Sequence, residues 1–333
     1  MSFKRILALL TALIMLALLC ACETQTNESS ISEDTSVEES VNYELPDPDK
    51  ESTVTPLFWK ASDEKGNVIW LLGSIHAGTD DYYPLPEKMM TAFDGADELA
   101  VEVDVVALEK DLQLATQALL KVAYTDGTRI SDHIDKELYD RAVAYLTKNN
   151  MYNAMYDVYK PTMWMSLVTN VVMVETGLDS SIGIDSYFLK YAKNNAKKIV
   201  EIESAVAQYT MLGGFSDELQ EMLLAEALSG AESGEEAKAL KELAKLWGEG
   251  DFEKLQETLS STEEVEESEK AIYDEYYNAM YKTRNDLMTK FCTEALKEGR
   301  ESFVIVGLAH FLGDDGIIKQ LEALGYTVEL IEY

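Results

Sequence analysis

Two apolar runs at opposite ends of the chain finish in the same way. Residues 68–76 read VIWLLGSIH and residues 303–310 read FVIVGLAH. Each is an apolar stretch, a glycine, two residues and then a histidine. Short apolar runs bounded by turn residues have the character of strands. Each histidine should therefore stand just past a strand end, with the glycine letting the backbone turn sharply off it. The chain has three histidines, and glycine is 18 of 333 residues, so even one such pairing would be uncommon by chance; two are present. The chain must fold so that these two distant strand ends share one edge.

The stretches between them alternate. Residues 57–61 and 68–73 flank Ser62-Asp63-Glu64-Lys65-Gly66-Asn67 and read as a hairpin. Pro84 and Pro86 open a helix over 87–93. In ELAVEVDV (98–105), Val101, Val103 and Val105 fall on one face of a strand, and Glu102 and Asp104 on the other. Helical patterns follow at about 107–123, 135–148 and 161–176. Ile182-Gly183-Ile184-Asp185 leads into another, to about 194. KIVEIE (198–203) is a second alternating strand, with Glu201 and Glu203 on one face. Residues 216–299 are helical with charged faces, broken at Gly248-Glu249-Gly250-Asp251 and by an acidic loop at 260–269. A strand (303–306), a helix (313–324) and a closing strand (327–331) complete the chain. The expected class is α/β: a central mixed β-sheet with flanking helices and a helical insertion at about 215–299. Sites in such sheets form at the carboxyl ends of strands, where both Gly-x-x-His motifs lie.

The N-terminus reads as an address. Lys4 and Arg5 precede 14 apolar residues, 6–19, too short for a span of about 20 but right for a secretory leader. Leu19-Cys20-Ala21-Cys22 resembles a bacterial lipobox, with Cys22 as the lipidated residue. The expected organisation is a lipoprotein signal peptide at 1–21, a disordered acidic tether at 22–54 and one domain at 55–333. The expected location is the extracytoplasmic face of the cell membrane, held by lipid. The net charge of −33, with 61 acidic against 28 basic residues, excludes phosphate-directed binding, so no nucleic-acid partner is expected. Cys292 is alone in the domain and sits in an amphipathic helix as a small apolar residue.

Imidazole is the most common metal ligand and the usual neutral-pH base, so His76 and His310 are the first candidates. His133, in Ser131-Asp132-His133-Ile134, lacks their context and reads as a helix-start or surface residue. A strand between helices should be apolar on both faces. Its carboxylates therefore need partners or a metal, which marks Glu102, then Glu201 or Glu203. Asp185 serves either the site or its helix N-terminus. Arg284 falls inside the apolar stripe of Tyr273, Tyr277, Met280, Tyr281, Met288, Phe291 and Ala295, so it should point inward to a partner. The chain has no Gly-x-Ser-x-Gly, phosphate loop, His-Glu-x-x-His or Cys-x-x-Cys.

Taken together, Gly73-Ser74-Ile75-His76, Val101-Glu102-Val103-Asp104, Gly183-Ile184-Asp185, Glu201-Ile202-Glu203-Ser204 with Gln208, Arg284-Asn285 and residues 307–313 (GLAHFLG) resemble the TraB/PrgY/GumN family. That family is related to the Tiki membrane metalloproteases, and the resemblance covers roughly residues 55–333. It implies an erythromycin-esterase/ChaN-like fold and, from the Tiki members, divalent-metal-dependent proteolysis with Mn or Co. The expectation is a metal-dependent hydrolase, a peptidase acting on a peptide or protein substrate. His76, His310 and Glu102 would hold Mn, Co or Zn. Glu201 or Glu203 would accept a proton, Arg284 would stabilise the oxyanion, and Asp185 and Asn285 would contact substrate. The alternative is a non-catalytic protein that sequesters an extracellular peptide or other small ligand.

Overall fold

The computed structural model describes residues 51–259 and 266–333. The leader, Cys22, most of the acidic tether and the first part of the acidic loop at 260–269 lie outside the described residues.

The hairpin forms as the pattern requires: β1 (Phe58–Ser62) pairs antiparallel with β2 (Val68–Ser74). The chain then forms α1 (Glu87–Gly95) and β3 (Glu98–Val101). Five helices follow: α2 (Val105–Lys110), α3 (Leu112–Leu119), α4 (Lys136–Lys148), α5 (Pro161–Thr176) and α6 (Ile184–Asn194). Next come β4 (Lys198–Glu201) and α7 (Ala205–Gly213). The expected helical block is α8 (Asp217–Ser233), α9 (Glu235–Glu249), α10 (Phe252–Leu259), α11 (Lys270–Tyr277) and α12 (Thr283–Glu298). The chain closes with β5 (Ser302–Gly307), α13 (Ile317–Ala323) and β6 (Thr327–Leu330).

The six strands form one sheet in the order β4-β3-β5-β2-β1-β6. Only β1 runs against the rest, so the sheet is mixed, as expected. The last long run of the chain, β5, enters the middle, between β2 and β3. Its chain leaves toward β6, whereas the chain leaving β3 goes the opposite way, to β4. Connections that diverge in this way open a crevice at the carboxyl ends of the strands.

Phe58, Phe93, Phe188 and Phe303 pack together in the core. The stretch expected as one helix at 107–123 is two, because Asp111 ends α2 and caps α3 by accepting from the Leu114 N–H at 2.9 Å. Helix α5 is buried over most of its circumference and is the core of the helical layer. Val54 is also buried, and the Thr55 N–H bonds the Gly248 carbonyl at 2.7 Å. The packed body therefore reaches at least to residue 54. Among the described residues no helix is long and apolar enough to cross a membrane.

Candidate functional site

Both Gly-x-x-His motifs end at one edge of the sheet, because β2 and β5 pair in parallel with Ser74 opposite Gly307. The glycines leave room for neighbours rather than make a turn. Neither has a positive φ. A Cβ on Gly73 would meet Leu308 Cδ1 at 2.4 Å and Leu308 Cα at 3.1 Å. A Cβ on Gly307 would stand 3.3 Å from Glu102 Oε1, 3.6 Å from His310 Cδ2 and 3.7 Å from His76 Nε2. Gly307 thus marks the point about which the two imidazoles and the carboxylate converge.

Each histidine is held from behind. His76 Nδ1 donates to Asp185 Oδ2 at 2.8 Å, and the Ser74 hydroxyl donates to Asp185 Oδ1 at 2.9 Å. Asp185 lies in the first turn of α6, which docks by the Ile184 N–H on the Ile75 carbonyl at 3.1 Å. Gly183 allows that approach, since a Cβ there would lie 2.4 Å from the His76 carbonyl oxygen. On the other side, His310 Nδ1 donates to Asn285 Oδ1 at 2.6 Å, while Asn285 Nδ2 donates to the Asp315 carbonyl at 2.9 Å. The proton of neutral His310 is therefore on Nδ1, and its Nε2 lone pair lies 3.8 Å from Glu102 Oε1.

Arg284 points inward, as its place in the apolar stripe requires; its side chain is 4% exposed. Its Nη2 donates to Glu102 Oε2 at 2.5 Å and to Glu203 Oε2 at 2.8 Å, and its Nε donates to Glu203 Oε1 at 2.9 Å. Gln208 Nε2 bridges the same two carboxylates at 3.1 and 2.8 Å. Glu102 Oε1 takes the Gly307 N–H at 2.7 Å. This network meets the demand of buried charges for both counter-ions and hydrogen bonds. Just before Arg284, residues Asn278–Lys282 make a π-helical turn, a feature often found at functional sites.

The two imidazoles titrate in opposite directions. Burial works against a charge on His76, but Asp185 and then Glu102 overcome it and lift its pKa to about 9. Burial and the Arg284 cation press that of His310 down to about 3. Burial opposes ionisation of Glu102 as well, yet Arg284 and the histidines hold its carboxyl well below the usual range.

The structure separates the two carboxylates that the sequence grouped. Strand β4 ends at Glu201. Glu201 is exposed, and its Oε1 accepts the Asp104 N–H at 2.8 Å. Glu203, reached after Ile202 and Glu203 bond the Val101 and Glu102 carbonyls, turns inward to Arg284. Of the two expected proton acceptors, Glu201 is exposed and bonded to the Asp104 N–H, and Glu203 is held on both oxygens by Arg284. Asp185 and Asn285, expected against substrate, stand behind the histidines instead. Asp104 caps α2 and pairs with Lys193 at 2.5 Å. His133 is apart from the site, stacked on Tyr124 with ring centres 4.0 Å apart. Cys292 is fully buried.

These groups open on a small cleft. Its polar floor includes Ser74, His76, Glu102, Arg284 and His310. Its apolar wall is Leu243, Trp247, Leu259, Met280 and Tyr281, of which the sequence reading named only Met280 and Tyr281, as part of the stripe around Arg284. Their only sequence signal was the apolar face of charged helices, which any packed helix shows.

Fold and site together define an α/β protein with a paired-histidine centre at the carboxyl edge of its sheet. A model of the TraB/PrgY/gumN family matches residues 57–330, and the chain belongs to that family. Among curated proteins it is similar to the "Uncharacterized protein YbaP" of Escherichia coli (strain K12) and that of Shigella flexneri. Each is 28% identical over 145 residues, 43% of this chain. The match spans half the length of those relatives. No solved structure matches the chain.

Proposed function

We propose that this protein is a hydrolase of peptide-like acyl bonds, assisted by a divalent cation and tethered outside the cytoplasm by lipid on Cys22. The observation that carries the reading is the matched support of the two histidines. Each has its Nδ1 tied to an oxygen and presents its other edge near one carboxylate oxygen, beside Gly307. Metal-ligating histidines are oriented in this way by their outer partners.

The donor chemistry fits an ion. His76 Nε2, His310 Nε2 and Glu102 Oε1 would hold it, a set suited to Zn, Mn or Co. As the side chains stand, no group of three such residues among those described is closed to ligand spacing, so loading requires these side chains to rotate. A bound ion polarises a carbonyl and lowers the pKa of a water. The protein's own groups do the rest. Asp185 and Asn285 fix the ring orientations. Arg284 and Gln208 keep Glu102 ionised and aimed. Arg284 Nη1, whose contact is a 3.4 Å approach to the Met280 carbonyl, retains a donor for charge developing on a substrate oxygen.

The test is metal analysis of the purified full chain beside its His76→Ala and His310→Ala variants. The expected result is about one equivalent of a divalent ion in the parent and a loss of at least tenfold in affinity in each variant. Equal metal content in all three would remove the ion from the mechanism. The apolar wall favours a second reading, sequestration of a ligand without turnover. Tight binding of peptides with no cleavage under Mn, Co or Zn would establish it.

A further inference from the structure

The two sides of the cleft come from different parts of the chain. The polar floor lies largely at the ends of β2, β3 and β5, whereas Leu243, Trp247, Leu259, Met280 and Tyr281 all belong to the helical block after β4. The block is anchored to the floor. Trp247 Nε1 donates to the Gly73 carbonyl at 2.8 Å, and its ring packs on Tyr82 at 4.8 Å. Tyr281 faces His310 with ring centres 5.8 Å apart.

The wall carries no cationic side chain. Among the described residues no lysine lines the cleft, and its arginine, Arg284, is bound through Nε and Nη2 to two carboxylates. The whole chain carries −33, which repels anions at longer range. What such a wall accepts is a carbon surface. The enclosed space, about 60 Å³ on a measure where one water takes about 10–15 Å³, holds several waters and so exceeds what a methyl needs.

We propose that the helical block is the specificity element of this site. Its wall is a subsite for a bulky uncharged aliphatic or aromatic side chain adjoining the bond presented to His76 and His310. The subsite rests on the hydrolase reading for its substrate class, but not for its chemistry of recognition.

The test uses the full chain and the blocked dipeptides N-acetyl-X-glycinamide, with X as Leu, Phe, Ala or Asp. Binding is followed by calorimetry without added metal, and cleavage separately with Mn, Co and Zn in turn. Leu and Phe are expected to bind about tenfold or more tighter than Ala, with Asp weakest. Leu243→Gln, or Met280→Ala should the first fail to fold, is expected to narrow the Leu-to-Ala ratio to within about twofold. Equal binding of Leu and Ala by the parent, or an unchanged ratio in a folded variant, overturns the proposal. Leu preference without cleavage would leave the subsite standing and sink the hydrolase reading. Cleavage without preference would do the reverse.

Discussion

At the scale of single residues, Arg284 holds the site together. It is a buried cation between two buried carboxylates, and removing one member of such a set costs more than the set contributes. Arg284→Met should therefore destabilise the protein by about 3–5 kcal/mol, read by urea unfolding. Adding Glu203→Gln should restore part of that loss, because one uncompensated charge disappears with it. If the double variant is no more stable than the single, the charge argument is wrong and packing explains the loss. Arg284 was legible in the sequence because a helix has a fixed period, and an arginine inside an apolar stripe stands out. Glu102 was legible for a related reason, as an acid expected in a strand buried on both faces, although β3 ends one residue before it. The choice between Glu201 and Glu203 was not legible. Alternation puts both on one face only while the strand lasts. Here β4 stops at Glu201, so the parity no longer holds two residues later.

At the scale of elements, the site depends on how closely α6 approaches the segment after β2. That approach is set by Gly183 against the His76 carbonyl. Gly183→Ala must push α6 back, carrying Asp185 away from His76. In metal-free protein, the His76 pKa should then fall from about 9 toward its ordinary 6.5. Proton NMR is well placed to see this, since the chain has only three histidines. A His76 titration unchanged in Gly183→Ala would mean that the helix does not position the carboxylate. The sequence showed the elements themselves well. The hairpin, α5 and the strand–helix alternation follow from periodicity and turn residues. The reason for the glycines did not show, because a missing Cβ reads the same whether it frees a dihedral or admits a neighbour. The apolar wall was hidden too: nothing local distinguishes a helix face that meets a cleft from one that meets a core.

At the scale of the molecule, the two histidines set opposite limbs of a pH profile. With ion removed by chelator, His76 has a folded pKa raised to about 9 from 6.5. Its stabilisation is complete below about pH 6.5 and is lost as pH rises toward 9. Each unit of difference is worth about 1.4 kcal/mol, so this limb amounts to about 3 kcal/mol. His310 has its pKa depressed to about 3. Its neutral form stabilises the fold above about pH 6.5, and that contribution is lost as pH falls. Stability of the metal-free protein should therefore peak near pH 6.5, measured as urea midpoints across pH 5 to 9. Asp185→Asn should flatten the alkaline limb and spare the acid one. A parent profile flat between pH 6.5 and 9 would show that His76 is not held as an imidazolium.

The position of β5 has a consequence for when the protein becomes competent. The strand in the middle of the sheet is nearly the last to be synthesised, and Glu102 and Arg284 stand 182 residues apart. Until β5 slides between β2 and β3, His310, the Gly307 amide and the frame around Glu102 do not exist in one place. Contacts of such long range form late and slowly. A growing or partly folded chain therefore lacks the assembled arrangement of the two histidines and Glu102.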